Sequence, residues 1–341
     1  MIIDVHGHFT QAPPKIAAWR ARQIAAANES RPEPSKDELE LTDDEIRGSI
    51  EPQQLAFQRA RGTDVVLFSP TAGGMAHHNG TPETSRLWTE LVNEVVHRVC
   101  GLWPAHFVGV CQLPQSPGVS PANCLEELER CVTEWGFVGC NVNPDPSDGY
   151  WTGPPITDPF WYPLYEKMVE LEVPAMIHAS SSCNPAFHGT GAHYINGDTT
   201  AIMQLIQGDL FREFPELKFV IPHAGGAVPY HWGRYRGIAQ SLKKAPLEEH
   251  LLNNVFFDSC VYDVRGMQLL TSTIPVDNVL FASEMIGAVN GIDPLSGHYF
   301  DDTRRYLEQL TDLSEEDRRK IFATNALKVY PRLAAALGGG S

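Results

Sequence analysis

The sequence predicts a (β/α)8 barrel, and three observations support this prediction. Short apolar runs rich in β-branched residues occur eight times along the 341 residues, and segments of helical periodicity separate them. Such a length suits a single barrel domain. No GxGxxG follows the first run, which removes the main support for a dinucleotide-binding open sheet. Alternation alone fits an open sheet or a barrel, so the strand count favours the barrel.

The predicted strands and helices follow one another along the chain. Two of the helices have clear start signals and an apolar face. One begins with the Thr-Pro pair at residues 81–82 and carries apolar side chains from Leu87 to Val99, and another follows Pro163 and carries Leu164. The eight strands are predicted at residues 2–5, 65–69, 107–112, 137–141, 175–178, 218–221, 255–258 and 279–283.

A long polar insertion, residues 9–50, separates the first strand from the first clear barrel helix. We expect either a lid or small inserted subdomain, or a solvated loop with one amphipathic helix. The glycine-rich residues 338–341 are predicted to form a flexible tail. Residues 1–337 are therefore expected to form a single barrel domain.

Composition limits the possible partners and the compartment. The chain has 42 acidic residues against 26 Lys and Arg, a net charge of −16, which argues against nucleic acid as a partner. Seven cysteines without CxxC spacing argue against a disulfide framework and indicate a reducing, cytoplasmic setting. No apolar run approaches the length of a membrane span, so we expect a soluble protein without a membrane partner.

Histidines and one glutamate follow four of the predicted strands. His6 and His8 end the first strand on the same face, His178 ends the fifth, His223 ends the sixth and Glu284 ends the eighth. In a barrel the carboxyl ends of all strands open onto one face, so these side chains are expected to meet. Taken singly, each is more often a hydrogen-bonded or surface residue. Jointly, imidazoles and a carboxylate predict a divalent metal site, with zinc a suitable ion.

These motifs resemble the amidohydrolase superfamily, in the branch that contains aminocarboxymuconate-semialdehyde decarboxylase. The resemblance covers nearly the whole chain and includes the strings DPFWYPLYEKMVELEVPAMIH and HAGGAVPYHWGRYRG. That branch usually places Asp after strand 8, whereas this chain has Glu284. With the long insertion, the resemblance implies one zinc ion per chain, other divalent ions being possible. It also implies reversible addition of water across the carbon–carbon double bond of an unsaturated oxo-tricarboxylate in aromatic catabolism.

The hypothesis assigns a role to each residue of the predicted metal site. His6, His8, His178 and Glu284 hold the ion, and Glu284 also accepts the proton of the attacking water. His223 protonates the neighbouring carbon or stabilises the enolate.

Substrate carboxylates need cationic or polar partners in so acidic a protein. Arg234 matches the position of a substrate-carboxylate arginine in the related decarboxylases, which sometimes reaches the neighbouring subunit, so we expect a homo-oligomer. Arg47, Tyr194 and His77 are further candidates for substrate binding, although they also fit ordinary loop residues. Asp258, at the end of strand 7, is a candidate for orienting a metal ligand.

Two other interpretations remain open at this point. The same site would suit a non-oxidative decarboxylase or a lactone hydrolase of a related carboxylated substrate, because fold alone does not choose the reaction. A non-catalytic binding module with a structural metal is disfavoured, because structural zinc usually has four closed ligands, often thiolates.

Overall fold

A computed structural model describes residues 1–338 and contains one sheet of eight parallel strands in chain order. Hydrogen bonds between β1 and the segment around β8 close the sheet: Val5 N–H donates to the Phe281 carbonyl, and Glu284 N–H donates to the His6 carbonyl, each at 3.0 Å. The predicted barrel is therefore confirmed. The strands are β1 (Ile3–His8), β2 (Val65–Ser69), β3 (Phe107–Cys111), β4 (Gly139–Val142), β5 (Ala175–Ile177), β6 (Phe219–Ile221), β7 (Val255–Asp258) and β8 (Val279–Leu280).

Helices surround the barrel, as the alternation in the sequence predicts. Thr81 caps the long helix α4 through its side chain, and the apolar stripe of this helix packs into the core. The helices are α1 (Pro14–Asn28), α2 (Asp43–Ile50), α3 (Ala56–Arg61), α4 (Pro82–Leu102), α5 (Leu125–Thr133), α6 (Tyr162–Glu170), α7 (Tyr194–Gln207), α8 (Leu210–Glu213), α9 (Trp232–Ser241), α10 (Leu247–His250), α11 (Val264–Thr273), α12 (Thr303–Glu308), α13 (Glu315–Arg319), α14 (Asn325–Val329) and α15 (Leu333–Gly338).

Two layers of apolar side chains make up the core. One layer fills the barrel interior with β-branched and aromatic residues such as Val5, Val110 and Phe256, and it continues into Tyr330 and Leu333 near the carboxyl terminus. The larger layer lies between the strands and the surrounding helices. Because the interior is filled by side chains, the polar groups at the carboxyl ends of the strands have a packed floor beneath them.

The insertion forms two helices that pack against the barrel wall. α1 buries Ile16 and Trp19, and α2 buries Ile46 and Ile50. The indole of Trp19 stacks on that of Trp88 in α4, with ring centroids 6.2 Å apart. One sequence-based alternative was a solvated loop with one helix, and residues 9–50 contain one α-helix more than that. Closure of this segment over a substrate stays a prediction.

The carboxyl terminus of the described region is helical. Gly338 is the last residue of α15, and the rest of the predicted tail, residues 339–341, lies outside the described residues. Across residues 1–338, every helix is too short or too polar to span a lipid bilayer.

Candidate metal centre

Three imidazoles and one carboxylate meet at the carboxyl ends of the strands. His6 Nε2 lies 3.0 Å from His8 Nε2, which lies 3.3 Å from His178 Nε2. One oxygen of the Glu284 carboxylate completes a group whose ligand atoms all lie within 4.8 Å of one another. The structure therefore brings together all four residues that the sequence proposes as metal ligands.

The second nitrogen of each imidazole has a hydrogen-bond partner that fixes the ring. His6 Nδ1 lies 2.7 Å from an Asp258 carboxylate oxygen, and His8 Nδ1 lies 2.7 Å from the Ser69 hydroxyl. His178 Nδ1 lies 2.8 Å from the carbonyl of the next residue. A proton on each Nδ1 satisfies these partners and leaves three Nε2 lone pairs directed at one another. Such a convergence of lone pairs is repulsive alone and favourable around a cation, so the residues fit a divalent ion.

Burial sets the charge of these groups. Burial, followed by the neighbouring imidazole of His6, lowers the pKa of His8 to about 3, and burial beside His8 lowers the pKa of His178 well below its ordinary value. Burial alone would raise the pKa of Glu284, but the nearby His223 and the other surrounding imidazoles outweigh it and lower that pKa. Neutral imidazoles and an ionised carboxylate are the states in which these side chains bind a metal ion.

Unusual backbone conformations aim two of the side chains. His223 has φ of +50° and Glu284 has φ of +49°. Both values lie in the left-handed region of the backbone map, which residues other than glycine rarely adopt. The turn after β6 continues through Gly225 and Gly226, with φ of +75° and +61°. A Cβ on Gly226 would lie 2.5 Å from the backbone oxygen of Ile195, so this position requires glycine.

His223 lies beside the ligand cluster and outside it. Its Nδ1 is 2.8 Å from an Asp198 carboxylate oxygen, and its Nε2 is 3.7 Å from Glu284 Oε2. Burial alone would lower the pKa of His223, but the carboxylates of Asp198 and Glu284 outweigh it and hold the pKa well above its ordinary value. These carboxylates favour the protonated form of the imidazole, which faces the glutamate.

Three partners of the site were not predicted from the sequence. Tyr262, in the segment after β7, donates its hydroxyl to Glu284 Oε2 at 3.0 Å. Asp198 on α7 pairs with His223, and Ser69 at the end of β2 pairs with His8. Ser69 carried a usable signal, because it ends a predicted strand on the ligand face. Asp258, by contrast, was expected to orient a ligand, and it contacts His6.

The proposed substrate residues occupy different parts of the molecule. Tyr194 stacks on His223 with ring centroids 5.9 Å apart, and it lies 5.5 Å from the His178 ring, so it belongs to the site. His77 is buried in the segment between β2 and α4, and burial lowers its pKa to about 3. Arg234 is exposed on α9, and no carboxylate of the described residues lies within 4.0 Å of it.

Arg47 does not reach the site. Its guanidinium lies over the ring of Trp103, 5.5 Å from the centroid. Trp103 follows α4 and hydrogen-bonds through its carbonyl to Phe107, the first residue of β3, so it lies at the amino end of the strands. The prediction that Arg47 binds substrate is corrected by this position, because the metal ligands lie at the opposite end of the barrel.

A cleft opens beside the ligand cluster. It has a volume of about 370 Å³, and His223, Cys260 and Tyr262 form part of its wall. Tyr230 and Val289 line its outer part. This volume suits a small organic molecule. A molecule in the cleft would contact His223 and Tyr262, the residue that hydrogen-bonds to Glu284.

Comparisons with known proteins agree with this architecture. A family model described as "Amidohydrolase" matches residues 3–332. The chain is 54% identical over 337 residues to 2-keto-4-carboxy-3-hexenedioate hydratase of Sphingobium sp., an alignment that covers 99% of this chain and 98% of the relative. It superposes on the crystal structure of 4-oxalomesaconate hydratase from Rhodopseudomonas palustris with a TM-score of 0.93 and 56% identity, over 99% of this chain and 98% of that one.

A more distant structure shows the same fold with different chemistry. Dihydroxybenzoic acid decarboxylase from Polaromonas sp., solved with bound manganese and 2-nitroresorcinol, superposes with a TM-score of 0.71 and 19% identity. The superposition covers 97% of this chain and 96% of the decarboxylase. That structure contains a divalent ion, and this chain has a group of three histidines and one glutamate that could hold one.

Proposed function

The chain belongs to the amidohydrolase family, and from this premise we propose that it hydrates 4-oxalomesaconate to 4-carboxy-4-hydroxy-2-oxoadipate, a step in the breakdown of protocatechuate. Two hydratases that align with nearly all of the chain support this proposal. The structural observation that carries it is the position of Glu284, whose carboxylate belongs to the ligand group and lies 3.7 Å from His223 Nε2. Water addition needs one group that accepts a proton and another that donates one.

Zinc is the metal that we propose for the site. His6, His8, His178 and Glu284 would hold it, and three nitrogens with one oxygen is a typical zinc ligand set that other divalent ions also accept. When bound, the ion supplies a nucleophile at neutral pH by lowering the pKa of water.

Glu284 and His223 divide the proton transfers. The Glu284 carboxylate accepts a proton from the attacking water, whose hydroxyl adds to C4 of the substrate. Tyr262 donates a hydrogen bond to Glu284 Oε2 and so holds the carboxylate in one orientation. The developing negative charge spreads from C3 to the C2 oxygen as an enolate, and His223, whose pKa Asp198 helps to raise, donates the proton that C3 gains.

Tyr194 and His77 are the residues that we propose for substrate binding. The ring of Tyr194 stacks on His223, and this contact supports a role for Tyr194 beside the reacting carbons. His77 has a buried Nδ1 without a hydrogen-bond partner in the part of the chain that is described, so it retains capacity to bind a carboxylate. We keep Arg234 as a proposed contact that depends on a second copy of the chain, because it is exposed on α9.

A decarboxylase is the second candidate, because a relative of the same fold removes a carboxyl group from an aromatic acid. The much lower identity of that relative and the glutamate at position 284 favour the hydratase.

The test is an assay of the zinc-loaded protein with 4-oxalomesaconate, followed by NMR. We expect the alkene signal to disappear and a tertiary alcohol carbon to appear, with no carbon dioxide. Carbon dioxide release with loss of one carboxyl signal would establish decarboxylation instead. An unchanged spectrum at high enzyme concentration would contradict the proposal.

A further inference from the structure

We propose that Arg20, on helix α1 of the insertion, is a positioning residue that holds the β2 loop, residues 70–81, in the conformation that binds substrate. The inference rests on the proposed function, because its main effect is on the affinity for the oxo-tricarboxylate. It gives the insertion a fixed role in the site, distinct from that of a mobile lid.

The guanidinium of Arg20 is directed at the backbone of the β2 loop. Its Nη2 donates to the Met75 carbonyl at 3.0 Å and to the Ala76 carbonyl at 3.4 Å, and its Nη1 donates to Gln23 Oε1 at 2.6 Å. Arg20 is only 6% exposed, and no carboxylate in residues 1–338 lies within 4.0 Å of it. Arginine donors that are removed from water and given to two loop carbonyls fix that loop more firmly than exposed contacts do.

The β2 loop needs such support at this point. Ala76 has φ of +43°, a conformation that disfavours any residue with a Cβ. Its N–H donates to the Ser180 hydroxyl at 3.2 Å, and Ser180 is two residues from the metal ligand His178. The Ala76 peptide is thus held between α1 on one side and the β5 end on the other.

A second contact attaches the loop to the β4 end. His78 Nδ1 lies 2.5 Å from a carboxylate oxygen of Asp148 in the segment after β4. His77, the proposed substrate contact, lies between the two anchored residues Ala76 and His78. Its ring position therefore depends on a backbone that Arg20, Ser180 and Asp148 hold from three directions.

The surroundings of Arg20 are themselves held by contacts between α1, α4 and the β2 loop. Gln23 donates from Nε2 to the Thr84 carbonyl at 3.0 Å, which joins α1 to α4. The Arg20 guanidinium lies 4.9 Å from the centroid of the Trp88 ring, and Trp88 donates from Nε1 to the Gly74 carbonyl at 3.1 Å. Carbonyls of three consecutive loop residues, Gly74, Met75 and Ala76, thus accept hydrogen bonds from side chains of α1 and α4.

The metal ligands do not depend on these contacts. They extend from β1, β5 and β8, and their hydrogen bonds go to Asp258, Ser69 and a backbone carbonyl. Loss of Arg20 should therefore release the loop while the metal site stays assembled. The expected signature is a raised KM at nearly constant kcat, because binding is weakened and the reacting groups are intact.

A neighbouring cavity makes a chemical-rescue experiment possible. It has a volume of about 470 Å³, lies between α1 and α4, and Arg20 forms part of its wall together with apolar residues such as Ile16 and Val92. A small guanidinium compound from solution can enter a cavity of this size and replace the missing group in an Arg20→Ala variant.

The experiment compares Arg20→Ala with Arg22→Ala in the zinc-loaded enzyme. Arg22 is exposed on the same helix and pairs only with Glu38 among the described acidic residues, so it is the matched control. We expect KM of Arg20→Ala to rise about 10- to 100-fold, the range for losing hydrogen bonds from a charged donor, with kcat within about threefold and unchanged zinc content. Ethylguanidine should lower the KM of Arg20→Ala and leave that of Arg22→Ala unchanged.

Hydrogen exchange of residues 70–81, without substrate, should be faster in Arg20→Ala than in Arg22→Ala. The hydrogen-exchange measurement distinguishes failure of the proposed function from failure of the positioning role. If the wild-type enzyme does not hydrate 4-oxalomesaconate, the proposed function is refuted. The exchange rates of residues 70–81 still test the positioning role, because they are measured without substrate. An unchanged KM, unchanged exchange, or a parallel fall of kcat and zinc content would overturn the positioning role. If Arg20→Ala does not fold, Arg20→Lys, which keeps the charge but not the paired donors, is expected to show the same KM effect, and a normal KM there would overturn it.

Discussion

Glu284 is the residue on which the proposed reaction depends most directly. We expect Glu284→Gln to lower kcat by about 10²- to 10⁴-fold, the usual range for loss of a general base, with KM changed much less. The amide keeps the shape of the side chain but does not accept the proton. Steady-state kinetics with the metal content measured in each sample checks this.

Tyr262→Phe is the control for Glu284→Gln, because it removes the hydrogen bond to Glu284 Oε2 and leaves the carboxylate in place. Its loss in kcat should be about tenfold, the lower range for removing a partner of a site residue. Near-normal turnover by Glu284→Gln with full metal occupancy would exclude Glu284 as the base.

At the residue scale, the ligands could be predicted from sequence, and their partners mostly could not. His6, His8, His178 and Glu284 end strands, and the barrel brings strand ends together whatever the loops do. Tyr262 and Asp198 lie in the segment after β7 and on a helix, 22 and 25 residues from the groups that they contact, so no local spacing marks them. Arg47 was misplaced because its residue type suggests an anion site, whereas a cation–π contact with Trp103 holds it elsewhere.

The turn after β6 has a constrained backbone, with positive φ at four consecutive residues, 223–226. We expect Gly226→Ala to lower the free energy of unfolding by about 1–3 kcal/mol, because the backbone has φ of +61° and the new methyl group would lie 2.5 Å from the backbone oxygen of Ile195. Thermal unfolding of the metal-loaded protein measures this change, and the displaced His223 should reduce kcat as well.

Gly233→Ala is the matched control for this turn, because its new Cβ meets no atom within 4 Å and Gly233 lies inside α9. Alanine is favoured over glycine in a helix, so Gly233→Ala should be as stable as the wild type or more so. Equal stability of the two alanine variants would contradict the steric argument for the turn.

The segment between β4 and α6 contains a buried acid whose ionisation opposes folding. Burial, with Asp145 nearby, raises the pKa of Asp148 to about 8 from an ordinary value of 3.8. Between pH 3.8 and about pH 8, Asp148 is protonated in the folded protein and ionised in the unfolded chain. Asp148 therefore makes the free energy of unfolding fall as the pH rises through this range, and it has no further effect above about pH 8. The stability of Asp148→Asn relative to wild type should therefore increase from pH 5 to pH 8.

Denaturant unfolding across that pH range checks the sign. Asp209→Asn is the control, because the hydrogen bond with Lys244 lowers the pKa of Asp209, which is ionised throughout the range in both states. A difference between Asp148→Asn and wild type that does not change with pH would contradict the prediction.

At the element scale, periodicity located the strands and the two helices with start signals, because these patterns are local. The insertion was expected to contain at most one amphipathic helix in its solvated-loop alternative, and the second helix was not foreseen. α1 has little apolar periodicity of its own, and its buried face consists of Trp19, Arg20 and Gln23 together with Ile16 and Ala26. What fixes it is a contact with α4, the stacking of Trp19 on Trp88, which depends on the tertiary fold.

The whole molecule is expected to be more stable with its ion than without it. Removing the metal leaves three Nε2 lone pairs within 3.3 Å of their neighbours, and an ion that binds only the folded state adds about 4 kcal/mol at a concentration 1,000 times its Kd. Chelation should lower Tm, and one equivalent of zinc should restore both Tm and activity. The same Tm with and without chelator would show that these residues hold no ion under the conditions tested.

The barrel itself was predictable because the number of strands and the absence of a dinucleotide motif left few alternatives. Arg234 shows a limit of predicting a binding site from the sequence of a single chain. It is exposed on α9, and the substrate contact proposed for it depends on a second copy of the chain.

The pairing of β1 with the segment around β8, which closes the barrel, has a consequence for folding during biosynthesis. β1 is translated well before Glu284, yet the Glu284 N–H donates to the His6 carbonyl and both side chains belong to one candidate ligand group. A nascent chain that has not yet exposed residue 284 outside the ribosome offers an ion three imidazoles and no carboxylate. The complete group of four ligands therefore forms only after β8 has joined β1, so metal affinity during folding would report closure of the barrel.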